Sequence, residues 1–232
     1  MRKYEHERAA LQMTCRRART ALRLGLVALL LTTSGCATVT YSALEKVGIE
    51  KRDILVDRVE DARDAQDETR EELVSAYEAL SELIDHDGGE LEKRYRTLDK
   101  AVDRSQEARD DLDDRLASID KVSRDLFAEW QDELKLYSSE SLRADQTRKL
   151  AVARRQYAAM RERMQTARGR VDPVMNVLED NRLFLKHSLN AQALNALRGQ
   201  AATIDGQVQI LIRDMQAAID DADAFIQNMR GG

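Results

Sequence analysis

Apolar residues recur at alternating spacings of three and four through most of residues 55–229, and that period commits the chain to long helices, each burying a single stripe. The first series reads Leu55, Val59, Ala62, Gln66, Thr69, Leu73, Ala76, Leu80 and Leu83. A second runs from Leu91 through Tyr95, Leu98, Val102, Ser105, Arg109 and Leu112 to Trp130. A third runs from Gln146 through Leu150, Tyr157, Met164 and Val171 to Leu185, and a fourth from Leu194 through Ile204, Leu211 and Ala218 to Met229. One Pro and three Phe in 232 residues leave little of the turn-rich, aromatic composition of a sandwich or barrel. The expected class is therefore all-α.

The series do not share one phase. Seven residues past Leu83 lies Glu90 rather than Leu91, and seven past Leu185 lies Gln192 rather than Leu194, so the chain turns at these slips instead of continuing as one rod. Turn and capping residues fall at the same places: Asp87 with Glu90 around two glycines, the serines at 138, 139 and 141, and Asn190. Four helices follow, about 41–84, 90–137, 142–186 and 190–229. Folded back in pairs, the seams meet core to core: Leu73 with Val102, Thr69 with Ser105, Gln66 with Arg109, Trp130 with Ala153, Ile119 with Met164, Val171 with Ile204, Tyr157 with Ala218, and Leu150 with Phe225. This pattern describes an antiparallel up-down-up-down bundle of coiled-coil hairpins. An extended parallel coiled-coil dimer is the alternative, and long seams also leave room for a homo-oligomer. Val74, Val122, Phe127, Leu134, Phe184 and Ile212 widen the apolar stripe beyond the needs of a two-stranded coil, which favours the bundle. Pro173 should kink the third helix near Gly169.

The N-terminal 35 residues have the layout of a lipoprotein signal. Arg16, Arg17, Arg19 and Arg23 precede the apolar run Leu24–Leu31, and Thr33-Ser34-Gly35 leads to Cys36. That run is too short to span the hydrocarbon core. Cys36 is the expected lipidation site, against a plain cleaved signal or an uncleaved anchor as alternatives. Thr33 replaces the usual Leu, and Met13 is an alternative start. Residues 36–52 then form a tether or short helix, and 53–232 the bundle domain. Processing would leave 30 basic and 40 acidic side chains, a balance that gives no electrostatic case for binding nucleic acid or anionic lipid, since both would be repelled unless a local basic face were set apart, and no nucleic-acid partner is expected. It would also leave no cysteine thiol in the soluble part.

Chemistry-bearing patterns are few. No Glu-x-x-His pair, His-Glu-x-x-His, EF-hand loop or phosphate-cradling glycine loop occurs, and the acidic residues fall on solvated helix faces, so no enzyme and no cofactor is expected. His86 and His187 should share one end of the bundle with Asp85 and Asp87, a weak candidate metal set whose bland counterpart is a turn residue and a helix C-terminal residue. Gln66, Thr69, Ser105 and Arg109 should make a polar layer at mid-height, serving helix register or, alternatively, a ligand. Arg109 could instead snorkel to water.

The strings Tyr41–Gly48, Lys51–Gln66 and Phe184–Ala193 resemble an uncharacterised bacterial lipoprotein family, domain of unknown function 2959, over nearly all of residues 36–232. The resemblance implies a Gram-negative envelope protein and brings no activity to any residue. The combined expectation is a non-enzymatic structural or adaptor protein, held by lipid on Cys36 to a membrane facing the periplasm. Ala37 lacks the aspartate of inner-membrane retention, which favours the outer membrane. The partner is another envelope protein or the cell wall; a periplasmic metal- or ligand-binding module is the alternative.

Overall fold

The computed structural model describes residues 51–86, 89–199 and 201–231; Cys36, the tether and Asp87 lie outside them. The described residues are all helical with short links, and the helices pack as a bundle: α1 (Lys51–Ile84), α2 (Leu91–Glu133) with a 3-10 turn (Leu134–Leu136), α3 (Glu140–Arg168), α4 (Val171–His187), α5 (Ala191–Arg198) and α6 (Ala201–Gly231). None is long and apolar enough to cross a membrane.

Each break has a local cause. Ser139 caps α3 by accepting from the Leu142 amide at 3.4 Å, and Asn190 caps α5 by accepting from the Ala193 amide at 3.0 Å. Near Gly169, where a kink is expected, the helix is interrupted while Gly169 and Arg170 keep right-handed helical dihedrals. Pro173 has no N–H for the Gly169 carbonyl four residues earlier, so α3 ends at Arg168 and α4 restarts at Val171 with Pro173 in its first turn, where the missing donor costs nothing. Of the pair expected to cap α2, Asp87 lies outside the described residues. Glu90 stands at the N-cap of α2 in the left-handed region, φ 67°, and makes no side-chain cap bond.

The helices form four antiparallel rods, with α3 and α4 sharing the third and α5 and α6 the fourth. Cross-links between rods give the register. Between α1 and α2, Arg104 meets Glu72 at 2.8 Å and Arg115 meets Asp61 at 3.7 Å, within half a helical turn of the expected pairing. Between α2 and the third rod, Arg161 meets Asp120 at 2.7 Å and Arg182 meets Asp103 at 2.6 Å, again as expected. The third and fourth rods are different. Tyr157 lies edge-on to Phe225, ring centroids 6.2 Å apart, rather than level with Ala218, and Arg163 and Arg170 reach Asp221 and Asp214 at 3.0 Å each. The pairing is displaced by one heptad. Its reason is α5: the predicted single fourth helix breaks around Gly199, and α5 leans over the end of α1, where the Arg198 guanidinium donates to the Ile84 carbonyl at 3.0 Å. That detour lengthens the turn and moves the fold-back point along the chain.

The seams supply the core. Leu55, Leu73, Leu83, Leu112, Ile119, Met164, Leu178 and Leu211 are fully buried. Of the residues expected to widen the stripe, Val122, Phe127 and Leu134 are buried, whereas Phe184 is 42% exposed.

Candidate functional site

The expected polar layer exists in part. Gln66, Thr69 and Ser105 are completely buried. The Thr69 hydroxyl shares its one proton between the Ala65 carbonyl of its own helix at 2.7 Å and the Ala108 carbonyl of α2 at 3.1 Å, and the Ser105 hydroxyl between the Ala101 carbonyl of its own helix at 3.0 Å and the Glu72 carbonyl of α1 at 2.9 Å, so each helix offers the other a reciprocal, shared side-chain contact. Ala62, Ala65, Ala101 and Ala108, all buried, permit the close approach. Arg109 is not a member. Its guanidinium turns out to Asp110, 2.9 Å away, because a cation has no carboxylate partner inside this layer and its long stem can reach water. Gln66 faces α6 instead and donates to the Met215 carbonyl at 3.3 Å; its Oε1 is buried without a partner. Gln66, Thr69 and Ser105 line neither of the grooves at the two ends of the bundle.

The histidines do share one end, but they do not converge on an ion. His86 donates from Nε2 to the Gly89 carbonyl at 2.7 Å, which closes the α1–α2 turn, and His187 is exposed in the last turn of α4, well placed against the helix dipole. Among the described residues no three His, Cys, Asp or Glu side chains form a metal-holding group.

Joining α2 to α3 is a half-buried electrostatic centre that helical spacing does not reveal. Asp120 of α2 accepts from Arg161 through both oxygens, at 2.7 and 2.8 Å, and from the Tyr157 hydroxyl at 2.8 Å. The Arg161 hydrogen bonds hold the Asp120 carboxyl below the usual range against the opposing effect of burial, with Tyr157 assisting. Burial pushes the Tyr157 hydroxyl up to about 12, with Asp120 adding to the rise and Ser123 opposing it. Tyr157 also sits between Phe127, 5.6 Å away, and Phe225, so one side chain ties α2, α3 and α6 together. Every polar atom here is committed to structure, and the arrangement leaves no free base or nucleophile.

Open surfaces lie at the two ends. At the end bearing His86 and His187, a groove of about 340 Å³ is lined by Tyr95, Asp99, Glu179, Asp180, Arg182, Leu183 and Lys186. Leu183, 58% exposed, lies in it, and exposed Phe184 follows. At the opposite end, a groove of about 370 Å³ is lined by Arg52, Trp130, Gln146, Arg148, Lys149, Val152, Ala153, Gln156, Asn228 and Met229. The inward seam places Trp130 in the core, yet the ring is only half-buried at the groove wall.

The family model for the protein of unknown function (DUF2959) matches residues 40–229, the full length of the bundle and both end grooves. The chain belongs to that family. The matched range contains the stretches Tyr41–Gly48, Lys51–Gln66 and Phe184–Ala193. No curated protein matches the sequence.

Proposed function

We propose that this protein is a non-enzymatic, lipid-anchored adaptor of the bacterial cell envelope, facing the periplasm from a membrane, most simply the outer one, and docking a second envelope component at the end of the bundle that carries His86 and His187. The observation that carries the reading is the exposure of Leu183 and Phe184 beside a groove holding both charges and Tyr95, at the opposite end from Lys51, where the tether joins. Apolar side chains left in water beside a concave charged surface are a common form of protein docking site. The signal-like segment ending at Cys36 supports anchoring, since two or more acyl chains hold a protein stably on a bilayer. The 43 residues of α2 rise about 65 Å, which separates the docking end from the tethered end.

The test has two arms. Metabolic labelling with a palmitate analogue should mark the wild type and not Cys36→Ser; label persisting in that variant would remove the anchor. Pull-down from intact envelopes should capture a stoichiometric partner with the wild type, and Leu183→Ser with Phe184→Ser should release it. Equal capture by the variant would remove the docking end. Stoichiometric metal in the purified protein, lost in His86→Ala and His187→Ala, would favour a metal-binding module instead.

A further inference from the structure

The charge of the bundle is unevenly divided. α1 carries eleven acidic and five basic side chains, whereas α3 carries eight basic and three acidic. Much of the positive charge of α3 is used inward, in the pairs of Arg161, Arg163 and Arg168 with Asp120, Asp221 and Asp113. At the start of α3 it faces water. Arg148 is 70% exposed and Lys149 51%, and they share a single carboxylate, Asp145, at 3.0 and 4.0 Å. Both line the Trp130 groove with Arg52, which has no ion pair among the described residues. The acids Glu129 and Asp132 nearby are matched by Lys51 and Lys135, while Glu133 and Glu140 flank the turn and oppose an anion, so attraction must come from the groove rather than from the whole end.

Exposed apolar side chains lie at the same end of the bundle. Leu136, on the 3-10 turn, is 82% exposed, the most open of the large apolar side chains described; Leu142 is 56% exposed and Val152, in the groove itself, 42%. A half-buried Trp, open leucines at the tip of a bundle and flanking Arg and Lys is the composition of a surface that sits at the boundary between headgroups and acyl chains. The position of the tether selects the occupant. The fourteen residues between Cys36 and Lys51 span at most about 50 Å fully extended, and they join the bundle at this end, beside Arg52 and the groove.

We propose that this end is a second, non-covalent membrane contact: Arg52, Arg148 and Lys149 take the phosphate of an anionic phospholipid in the groove beside Trp130, and Leu136 and Leu142 enter the bilayer boundary. The proposal rests on lipid anchoring for delivery to the bilayer, and fixes the orientation that anchoring alone leaves open. Each Arg or Lys near an anionic bilayer strengthens the contact about five-fold, so two or three suffice to hold a chain already tethered.

Trp130 is the sole tryptophan, so its fluorescence reads this site directly. The full chain, processed and acylated in cells, would be reconstituted into vesicles of phosphatidylethanolamine and phosphatidylglycerol, with and without lipids brominated near the headgroup end of their acyl chains. The expected result is a blue-shifted emission quenched by the brominated lipid, weaker in pure phosphatidylcholine. Quenching should be lost in Arg148→Glu with Lys149→Glu and in Leu136→Ser with Leu142→Ser, exposed changes that leave the helicity intact by circular dichroism. A chain that floats with the vesicles while Trp130 is unquenched would overturn the contact and leave the anchor standing. If the chain recovered from cells proves to carry no acyl groups and its Trp130 is still quenched on adding vesicles, the contact stands and the anchor is overturned. If soluble glycerol phosphate reproduces the emission change, and the leucine variant responds as the wild type does, the groove is a site for free small anions and the bilayer contact is wrong.

Discussion

The two hairpins of the bundle follow the same heptad pattern but hold their register by different means. In the α1–α2 hairpin, Thr69 and Ser105 bond across to the opposite backbone. Sliding one helix by a heptad would set these polar side chains against Leu98 or Leu112. In the second hairpin the seam facing is almost wholly apolar, and all five methionines of the described residues, Met160, Met164, Met175, Met215 and Met229, are buried there. Methionine adapts to many neighbours and specifies few. A one-heptad slide in that hairpin still gives apolar against apolar, so the seam alone does not choose. The aromatic contact of Tyr157 with Phe225, the pairs Arg163–Asp221 and Arg170–Asp214, and the docking of α5 over α1 make the choice. A polar layer specifies a register from within the seam; an apolar seam leaves it to whatever lies beside it.

The largest effect should come from removing the aromatic determinant. Phe225→Ala is expected to cost about 4 kcal/mol in urea unfolding, and Phe225→Leu about 1 kcal/mol, because the first leaves a cavity at a site only 2% exposed. Similar costs for both would mean that the ring's volume and contact with Tyr157 do not matter.

Next in size is the Asp120 centre, which stiffens the contact of the two hairpins. Arg161→Met should lose about 2 kcal/mol at neutral pH, the scale of charge-assisted hydrogen bonds. The folded Asp120 carboxyl lies below its unfolded value, so its contribution is present above the ordinary carboxylate range and lost as pH falls through the folded value. The difference between wild type and variant should therefore shrink toward pH 2. The Tyr157 hydroxyl behaves oppositely: its contribution is complete below about pH 10 and is lost as pH rises toward about 12, and Tyr157→Phe should flatten that alkaline decline. A wild-type stability profile unchanged by either substitution would contradict the pairings.

Smaller effects belong to the first hairpin. Thr69→Val and Ser105→Ala should each cost about 1 kcal/mol, the net value of a buried hydrogen bond. Gln66→Met should instead gain about 1 kcal/mol, because it removes a buried oxygen without a partner. If Gln66→Met destabilises as much as Thr69→Val, the layer is a closed network in which the Gln66 oxygen has a partner. Least of all, Glu90→Gly should gain about 0.5 kcal/mol in thermal unfolding by relieving the left-handed backbone at the start of α2.

These differences explain what could be seen in advance. Periodicity located the core stripes and the polar positions, because burial follows helical spacing directly. It placed Arg109 in the layer because spacing is blind to the length of a stem that can carry its charge to water. It placed Phe184 inside for a related reason, since period says which face a residue is on but not whether a neighbouring rod covers that face. The heptad displacement was hidden because both registers satisfy the same spacing, and the Trp130 groove because it is assembled from α1, α2, α3 and α6, whose segments are distant in sequence. The charge excess of α3 was written in the chain, but a whole-chain balance averages it away.

The most direct test of the antiparallel bundle in this register is a pair of electron-spin distances on the full chain with Cys15 and Cys36 replaced by serine. One pair of labels would stand at 159 and 224, the other at 159 and 217, alanine positions one turn from the Arg163–Asp221 and Arg170–Asp214 pairs, which stay intact. A heptad is about 10 Å along a helix, enough to separate the alternatives. This register predicts the shorter distance for 159 with 224, retained on dilution with unlabelled protein. A shorter distance for 159 with 217 would place the second hairpin in the other register, and distances that vanish on dilution would replace the folded-back bundle with a pairing between chains.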